Sequence, residues 1–412
     1  MKISVKNFRS IKRQCLELAP ITVVYGPNGA GKSSLLYALL TMRNIVLNSA
    51  QQPAEFFNYG FLSLGNYEAV VYDHQKRDEI ELGISIEHGD YSLEYTITLA
   101  DTKGRLDLKV AGLDPSKVEL SRVDFGIPVT FPYSLNASSS KMISVEGHQY
   151  NVTWNGVTAG QVSAVTQHPK AQDEANLVSA MMNAPAEALR RVAVAPPVRG
   201  FWKPEYSTVG LTPLLISQEE MATYLANNRY LEGKISNYLE QVLERDFRVH
   251  VKPGTGIFTL DVTDRPAGLP IEIVNDGVGV NQLVYLLAKT LHNDTEWVCL
   301  EEPEIHLHPS AVRRLSQAFV KIMKHEQKRF LISTQSEALI IGLLREVGSG
   351  HISPGDIAFY FARRKGRTTE FERQAVNEKG QIEGGLLSFA QAELEDLKQF
   401  LVEGKQSTLS LE

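Results

Sequence analysis

The sequence predicts an α/β fold with a mixed sheet and an antiparallel, β-rich insertion. A glycine-rich loop at 26–34 lies between an apolar run and a helix-forming stretch. Residues 79–110 alternate apolar and polar side chains, which is typical of an antiparallel meander with one buried face. From residue 271 onward, helical and strand patterns alternate again. We therefore expect a β-rich block to separate two parts of one α/β domain.

Composition excludes several classes of protein. The 412 residues suit two or three domains, and 43% hydrophobic with 22% charged residues is typical of a globular chain. Because the net charge is −6, any nucleic-acid site must be a local basic patch. The two cysteines, Cys15 and Cys299, give no disulfide framework, and Cys299 lies in a run typical of a buried strand. With no membrane-spanning run and no signal peptide, we expect a soluble cytoplasmic protein.

The elements follow from the periodicity of the apolar residues. Strands are predicted within 2–25, through 79–110 and at 297–300 and 329–333, with a hairpin at 356–374. Helices are predicted at 32–47, 171–192, 216–245, 280–292, 309–328, 336–347 and 387–403. Residues 111–165 are predicted to be β-rich, and the absence of a sustained heptad excludes a long coiled coil. The corresponding domains are an N-lobe at 1–75, a β-rich insertion at 76–190, a helical and C-terminal lobe at 191–350, and a hairpin with a helical tail at 351–412.

The loop at 26–34, here called the phosphate loop, has the sequence GPNGAGKSS and fits the pattern G-x-x-x-x-G-K-[ST]. Its glycines allow successive backbone N–H groups to point at phosphate oxygens, and the following helix adds its positive end. Lys32 can reach the outer phosphates, and the Ser33 hydroxyl can bind Mg2+. The pattern in its strand–loop–helix context predicts a P-loop NTPase. The expected nucleotide contacts are Gly26, Asn28, Gly29, Ala30, Gly31, Lys32, Ser33 and Ser34.

An apolar strand at 297–300 ends in the carboxylates of Glu301, Glu302 and Glu304. Ligands of open α/β sheets bind at the carboxyl ends of strands. Glu301 can hold Mg2+, and Glu302 can orient and deprotonate the water that attacks the γ-phosphate. The alternative is a solvated strand end, which a phosphate loop in the same chain disfavours.

Three further patterns surround this candidate site. His306 and His308 suggest a metal site, but a tight turn with Pro309 as the first helical residue is the favoured interpretation. Asn275 or Asp276 can cap the helix that follows. Gln335 ends a buried strand, and it would lie beside the acidic strand if the two strands are neighbours.

Four motifs in this order resemble the ABC-type ATPase heads, in particular the RecF-like and OLD-type group related to SMC heads. The motifs are GPNGAGKSS, NDGVGVNQL, WVCLEEPEIHLHP and LISTQSEAL, and the segments ISVKNFRSIK and APPVRG are also similar. The resemblance covers about residues 1–75 and 190–350. The order argues against a transporter motor, because a β-rich block stands where such a motor has a compact helical subdomain.

The resemblance implies a head-to-tail homodimer that encloses two ATP molecules with Mg2+. Asn275, Gly277 and Gly279 would form a signature segment that contacts the γ-phosphate bound to the partner copy. Glu302 matches the catalytic glutamate, Glu301 the Walker B acid, and 306–309 the D-loop. Arg9 is a further expected nucleotide contact.

Two departures from the family pattern affect the expected chemistry. Gln335 stands where a switch histidine is usual, and glutamine cannot carry a positive charge. We therefore expect this protein to hydrolyse ATP slowly, so that ATP acts more as a ligand that locks the dimer. No clear Q-loop glutamine is found, and Gln75 is the nearest candidate.

The resemblance also suggests DNA as a partner, and two basic clusters support it. They are Lys321, Lys324 and Lys328 at helical spacing, and Arg363, Arg364 and Lys365 at a hairpin tip. The alternative for both is a solvated surface. Leu401–Gly404 is similar to the opening of a TOPRIM nuclease module, but we expect it to end a helix, so any cutting would need a separate nuclease or other effector.

These observations lead to two hypotheses from different classes. The first is an ATP-dependent dimerising switch in DNA repair or anti-phage defence that works with a separate effector. The second is an ATP-regulated scaffold that binds a protein partner, through the β-rich block, and never contacts nucleic acid.

Overall fold

The computed structural model describes residues 1–47, 50–51, 56–111, 118–126, 129–130, 139–145, 147–212, 217–265, 268–383 and 385. Its strands are β1 Lys2–Phe8, β2 Ile11–Glu17, β3 Ile21–Tyr25, β4 Ala50–Gln51, β5 Ile80–His88, β6 Tyr91–Leu99, β7 Lys103–Ala111, β8 Val118–Gly126, β9 Val129–Thr130, β10 Ser139–Val145, β11 His148–Trp154, β12 Ala159–Ala164, β13 Val192–Ala195, β14 Tyr206–Ser207, β15 Arg245–Lys252, β16 Ile257–Asp264, β17 Pro270–Glu272, β18 Trp297–Glu301, β19 Arg329–Thr334, β20 Ile357–Lys365 and β21 Thr368–Gln374. Its helices are α1 Lys32–Leu47, α2 Tyr67–Val70, α3 Ala171–Arg190, α4 Gln218–Ala226, α5 Arg229–Leu243, α6 Val278–Leu291, α7 Pro309–Glu326 and α8 Glu337–Gly348.

The central sheet has six strands in the order β13-β18-β19-β3-β20-β21. The first five are parallel, and β21 pairs with β20 as an antiparallel hairpin. The sheet is therefore mixed, as predicted. Strands from both ends of the chain meet at its centre, where β3 lies between β19 and β20.

Alternating side chains of the central strands enter two different hydrophobic cores. In β18, Trp297 and Cys299 pack into one core, while Val298 and Leu300 pack into the other. Cys299 is fully buried, as predicted. Because both faces are covered, these strands are apolar along their whole length, as parallel strands usually are.

A second six-stranded sheet has the order β2-β1-β5-β6-β7-β8, and its pairs are antiparallel. The predicted meander at 79–110 is confirmed by β5, β6 and β7. A three-stranded sheet, β10-β11-β12, packs close by, since the Tyr95 hydroxyl donates to the carbonyl of Gly156 at 2.8 Å. The predicted boundary between residues 75 and 76 divides a continuous sheet, because β1 of the N-lobe pairs directly with β5.

The other helices and strands fall close to their predicted positions, with three differences. Arg245–Asp264 forms a hairpin of β15 and β16 within a small antiparallel sheet that we had not predicted. The predicted helix at 216–245 is two helices, α4 and α5, separated by Asn227 and Asn228. The predicted tail helix at 387–403 and the segment Leu401–Gly404 lie outside the described residues. None of the helices in the described ranges is long and apolar enough to cross a bilayer.

Candidate functional site

The phosphate loop connects β3 to α1 at the carboxyl end of the central sheet, and two of its glycines are required by close contacts. Gly26 has φ of +144°, and a Cβ there would lie 2.3 Å from the Ala362 carbonyl oxygen. Gly31 has φ of +91°, and its Cβ would lie 2.3 Å from Oγ1 of Thr369. The hairpin β20–β21 therefore packs so closely on the loop that only glycine fits at both positions.

The same hairpin holds the phosphate loop by hydrogen bonds. The Thr369 hydroxyl is 2.8 Å from the Ala30 carbonyl oxygen and 2.7 Å from the Ser10 hydroxyl. The Thr369 backbone N–H donates to the Ser10 carbonyl at 2.7 Å. Ser10, Ala30 and Thr369 are thus joined by hydrogen bonds, so the hairpin β20–β21 fixes the shape of a loop near the N-terminus.

The loop borders a cleft of about 820 Å³, here called the nucleotide cleft. Asn28, Gly29, Gly31, Lys32, Ser33 and Ser34 line it, together with Arg9 and Glu302. Arg9 also lies over the Tyr37 ring, 5.1 Å from the ring centre. The structure therefore brings most of the predicted nucleotide contacts together in one cleft. Ala30, which is buried, does not line the cleft, and neither does Gly26.

The two predicted Mg2+ ligands are in direct contact. The Ser33 hydroxyl donates to Oε1 of Glu301, and the Tyr37 hydroxyl donates to Oε2 of the same carboxylate at 2.7 Å. Burial, followed by the charge of Glu301, raises the pKa of Tyr37, so Tyr37 acts as a neutral donor. A hydroxyl beside a carboxylate is a donor set that suits Mg2+, which needs only a few protein ligands.

Glu302 has a different environment from its neighbour. Its backbone φ is +45°, a conformation that side-chain-bearing residues rarely adopt, and its N–H donates to the Ser333 carbonyl at 2.8 Å. The side chain lines the nucleotide cleft, and Nε2 of Gln335 is 3.3 Å from its Oε1. This contact exists because β18 and β19 are parallel neighbours, as the sequence-based prediction required.

Lys32 and Glu304 complete the charged groups near the loop. The Lys32 ammonium donates to the carbonyls of Gly26 and Pro27 at 2.9 and 3.1 Å. Burial lowers the pKa of Lys32, and the nearby charges of Glu302, Glu304 and Glu301 partly oppose this effect. Burial also raises the pKa of Glu304, whose Oε1 accepts a hydrogen bond from the Thr334 hydroxyl.

Arg199 holds the backbone of the acidic loop, which we define as Glu301–Glu304. Its guanidinium donates to the carbonyls of Glu301, Glu302 and Pro303 at 3.1 to 3.3 Å, and to that of Pro196 at 2.8 Å. Only 3% of the residue is exposed, and burial lowers its pKa to about 10. The sequence showed Arg199 only as part of the APPVRG segment, so its contact with the acidic loop comes from the structure.

Four side chains that can carry charge line the nucleotide cleft and were not predicted to belong to the nucleotide site. They are Asp73, His74, Arg364 and Arg367. A guanidinium nitrogen of Arg364 lies 3.5 Å from the Gly29 carbonyl oxygen, and Arg367 forms an ion pair with Asp73. The sequence indicated Arg364 only as part of a basic hairpin tip, and the pairing of β20 with β3 was needed to place this hairpin at the cleft.

The signature segment, Asn275–Gly279, does not line the nucleotide cleft of its own chain. Asn275 and Gly277 are exposed. A Cβ at Gly279 would lie 2.4 Å from the His306 carbonyl oxygen, so this glycine permits close packing against the predicted D-loop. The prediction that Asn275 or Asp276 caps the helix is wrong, because Gly277 is the N-cap of α6 and makes no side-chain bond.

The interpretation of His306 and His308 as a turn is confirmed. His308 is the N-cap of α7, its side chain accepts from the Ser310 backbone N–H, and Pro309 occupies the first turn. His306 has φ of +62°. The weak Q-loop candidate, Gln75, is exposed, and its amide bonds to the Asp73 carbonyl without lining the nucleotide cleft.

The basic clusters predicted to contact nucleic acid need one correction. Lys328 is only 7% exposed, and its ammonium donates to the carbonyls of His292 and Thr295, so it cannot reach a phosphate backbone. It lies beyond the end of α7 at Glu326, which takes it off the predicted helical face. Lys321 and Lys324 are exposed on that helix.

In the basic hairpin cluster, Arg363 and Lys365 lie beside acidic side chains, and Arg364 faces the nucleotide cleft. Arg363 pairs with Glu370 and Glu372, and Lys365 lies 3.8 Å from Glu370. Arg364 lies at the nucleotide cleft. Ion pairs between exposed side chains are weak, so Arg363 and Lys365 still offer positive charge on this face.

Comparison with known proteins supports an ATPase. A family model described as "AAA domain" matches residues 2–156, and one described as "AAA domain, putative AbiEii toxin, Type IV TA system" matches residues 196–341. Among curated proteins, an OLD nuclease from Thermus scotoductus is 39% identical over 61 residues. That match spans 14% of this chain and only 12% of the relative.

Solved structures with some likeness include SMC heads. The SMC head domain from Thermotoga maritima has a TM-score of 0.42 at 10% identity, covering 90% of this chain and 97% of that one. An Smc head bound to a domain of ScpA from Pyrococcus furiosus has a TM-score of 0.47 at 10% identity, covering 96% and 98%.

The first family match contains the phosphate loop, and the second contains the acidic loop. Residues 157–195 lie between the two matches. Both models describe ATPase domains, which agrees with the mixed sheet and the cleft geometry.

Proposed function

We propose that this chain is an ABC-type ATPase head of the RecF-like, OLD-type and SMC-related group. In this proposal it is an ATP-dependent dimerising switch that hydrolyses ATP slowly and acts in DNA repair or anti-phage defence through a separate effector. The observation that carries the proposal is the set of side chains that line the nucleotide cleft or directly contact its lining residues. Ser33 and Glu301 offer Mg2+ ligands, and Glu302 stands beside Gln335 instead of a histidine.

The proposal assigns phosphate binding, metal binding and proton transfer to particular residues in and beside the cleft. The phosphate loop and Lys32 bind the β- and γ-phosphates, and Mg2+, when bound between Ser33 and Glu301, supplies positive charge at the transferring phosphoryl group. Glu302 accepts a proton from the attacking water. Gln335 orients Glu302 but adds no positive charge, which favours slow turnover.

The proposed dimer is supported by the position of the signature segment. Asn275 and Gly277 are exposed and do not line the cleft of their own chain. A partner copy can therefore receive them, which would complete two nucleotide sites across a head-to-tail interface. ATP then stabilises the closed dimer because it binds that state more tightly than the open one.

The variant Glu302→Gln tests the proposal. We expect it to keep ATP affinity, to lose turnover by about 100-fold or more, and to accumulate as a dimer with ATP. Phosphate release measures the turnover, light scattering measures the dimer, and titration with ATP measures the affinity. Glu87→Gln, which changes an exposed carboxylate on β5, is the matched control and should behave as the unmodified protein. Turnover of Glu302→Gln at the unmodified rate would contradict the assigned role of Glu302.

The DNA part of the proposal has its own test. Electrophoretic mobility of DNA at low salt, with and without ATP, should show a shift that weakens steeply as salt rises. Lys321→Ala combined with Lys324→Ala should reduce that shift. If no DNA is retained and DNA does not stimulate ATP hydrolysis, the protein is better described by the alternative function, an ATP-regulated scaffold for a protein partner.

A further inference from the structure

Two histidines and a glutamate come together in the β-rich insertion. His148 begins β11, His168 lies between β12 and α3, and Glu174 lies in the first turn of α3. Their ligand atoms, one from each side chain, all lie within 4.8 Å of one another. We call these three residues the histidine cluster. None of them lines the nucleotide cleft, and the ATPase mechanism assigns them no role.

Backbone contacts on both sides position the histidine cluster. Strand β12 pairs antiparallel with β11, and just beyond the end of β12 the Val165 N–H donates to the Gln149 carbonyl at 2.9 Å. This contact keeps the chain that leads to His168 beside the start of β11. The Ala171 N–H then donates to the His168 carbonyl at 3.0 Å, at the beginning of α3. The cluster therefore depends on the pairing of the sheet and the start of a helix, and not only on three side chains that happen to meet.

Glu174 is the buried member of the cluster, with 5% of the residue exposed. Its Oε2 is 2.9 Å from Nδ1 of His148 and 3.8 Å from Nε2 of His168, and it accepts a hydrogen bond from the Tyr150 hydroxyl. Its other oxygen, Oε1, is buried and has no hydrogen-bond partner in the described part of the chain. A buried carboxylate oxygen without a donor is costly, and a cation bound to it would remove much of that cost.

The distances and the donor atoms suit a zinc ion. Zn2+ binds histidine nitrogens and carboxylate oxygens at about 2.0–2.2 Å, which puts neighbouring ligand atoms about 3–3.5 Å apart. The distances of 2.9 and 3.8 Å within the cluster lie on either side of that separation. Two imidazoles and one carboxylate form a ligand set that Zn2+ uses, with a fourth position left for water. Mg2+ prefers oxygen ligands and suits this set poorly.

The two imidazole rings are stacked, with their centres 3.8 Å apart and an angle of 15° between their planes. The lone pairs of parallel rings do not converge, so binding one ion requires a ring to turn. The side chain of His148 is 46% exposed, which gives it the space to do so. His168 is held in place, since its Nε2 is 3.1 Å from the Tyr150 hydroxyl. Hydrogen-bonded groups behind metal ligands commonly orient them in this way.

We propose that the histidine cluster binds one Zn2+ ion through His148, His168 and Glu174, with the remaining position open to water. The ion would join the start of β11 to the start of α3, the helix that leads into β13 of the central sheet. Because these ligands come together only in the folded chain, bound Zn2+ would stabilise the insertion against unfolding. The proposal does not depend on ATP hydrolysis, on the proposed dimer or on DNA.

The test uses Zn2+ itself as the probe, with the full chain free of nucleotide and of any affinity tag. Titration should show saturable binding of one Zn2+ per chain, and a large excess of Mg2+ should not displace it. Saturating Zn2+ should raise the melting temperature. Co2+ in place of Zn2+ should give the visible absorption of a four- or five-coordinate ion.

Two variants remove ligands from the cluster. His148→Ala and Glu174→Gln should each weaken Zn2+ binding by about tenfold or more and remove the visible absorption of bound Co2+. The matched control is His325→Ala, which removes an exposed histidine of α7 and should leave Zn2+ binding unchanged.

Two further comparisons separate the histidine cluster from the nucleotide cleft and from misfolding. Ser33→Ala removes a hydroxyl of the proposed Mg2+ site and should leave Zn2+ binding intact. Since His148 is exposed, His148→Ala should melt as the unmodified protein does without Zn2+, and it decides the outcome if Glu174→Gln is unstable. The proposal is overturned if Zn2+ does not bind saturably, if excess Mg2+ displaces it, if folded His148→Ala binds it as tightly as the unmodified protein, or if Ser33→Ala abolishes binding.

Discussion

Glu301 and Glu302 are adjacent in sequence, yet their side chains have different environments. Glu301 ends β18 and is buried against Ser33 and Tyr37, whereas Glu302 has left-handed backbone geometry and projects into the nucleotide cleft. In the proposed mechanism, the change of backbone direction between them separates a metal-binding role for Glu301 from a proton-accepting role for Glu302.

Gln335 is the residue that most affects the expected rate. Gln335→His should raise turnover about tenfold at pH 6, because a protonated imidazole would place positive charge near the γ-phosphate. The effect should decline toward pH 8 as the imidazole loses its proton. Phosphate release measured at both pH values tests this prediction. Gln335→Asn, which shortens the side chain without adding charge, should give no increase, and a rate for Gln335→His that does not depend on pH would contradict the electrostatic explanation.

Lys289 should make the stability of the protein depend on pH. Its pKa falls from 10.5 to about 7 on folding, so between these values the unfolded chain holds a proton that the folded chain does not. The free energy of unfolding should therefore rise with pH through this window, whereas below pH 7 both states hold the proton and the dependence is lost. Chemical unfolding of Lys289→Met between pH 6 and 10 should show a smaller rise than the unmodified protein. Equal slopes would mean that Lys289 is charged in the folded state throughout.

At the scale of elements, the acidic loop owes its conformation to a side chain about 100 positions earlier in the chain. Arg199 follows β13, and β13 is the parallel neighbour of β18, so the two strands bring Arg199 beneath the carbonyls of the acidic loop. Its four hydrogen bonds also satisfy backbone groups that would otherwise be buried without partners.

Arg199→Met tests this positioning role. We expect turnover to fall about tenfold or more while ATP affinity changes little, because the phosphate loop keeps its own contacts. The loss of buried hydrogen bonds should also lower the free energy of unfolding by about 2–4 kcal/mol. Arg199→Lys, which keeps the charge but cannot reach all four carbonyls, should be intermediate. Equal losses of affinity and turnover would indicate a general structural defect instead.

At the scale of the whole molecule, the proposed dimer predicts complementation between two inactive variants. Lys32→Ala damages the phosphate loop and Asn275→Asp damages the signature segment. In a mixed head-to-tail dimer, one of the two sites has an intact phosphate loop from one chain and an intact signature segment from the other. ATPase activity should therefore return on mixing, up to about half that of the unmodified protein in the mixed dimers. If both parts act within one chain, mixing would restore nothing.

Predictions from the sequence were most accurate where the residues concerned are close together in the chain. The phosphate loop, the strand that ends at Glu301, and the turn at His308 and Pro309 were all found as expected, because each depends on local backbone chemistry. The capping of α6 was predicted wrongly, since either a glycine or an asparagine can begin a helix and the sequence does not say which one does.

Errors and omissions involved residues that are distant in sequence. Lys328 has the spacing of a surface lysine, but it is buried. Its ammonium donates hydrogen bonds to the carbonyls of His292 and Thr295, which lie far from it in sequence. Arg364 was assigned to a DNA-binding hairpin, but it reaches the nucleotide cleft because β20 is the neighbour of β3.

The sequence by itself determined where the phosphate loop and the acidic loop lie, which of their side chains could serve a nucleotide and Mg2+, and that both loops belong to an α/β domain interrupted by strands. These properties depend on local patterns of glycine, charge and apolar spacing. Only the tertiary structure decided which distant side chains support the site, namely Thr369 beneath the phosphate loop, Arg199 beneath the acidic loop, and Arg364 and Arg367 at the cleft. The physical reason is that the order of strands in the central sheet determines which distant segments become neighbours. That order cannot be read from the local patterns along the chain.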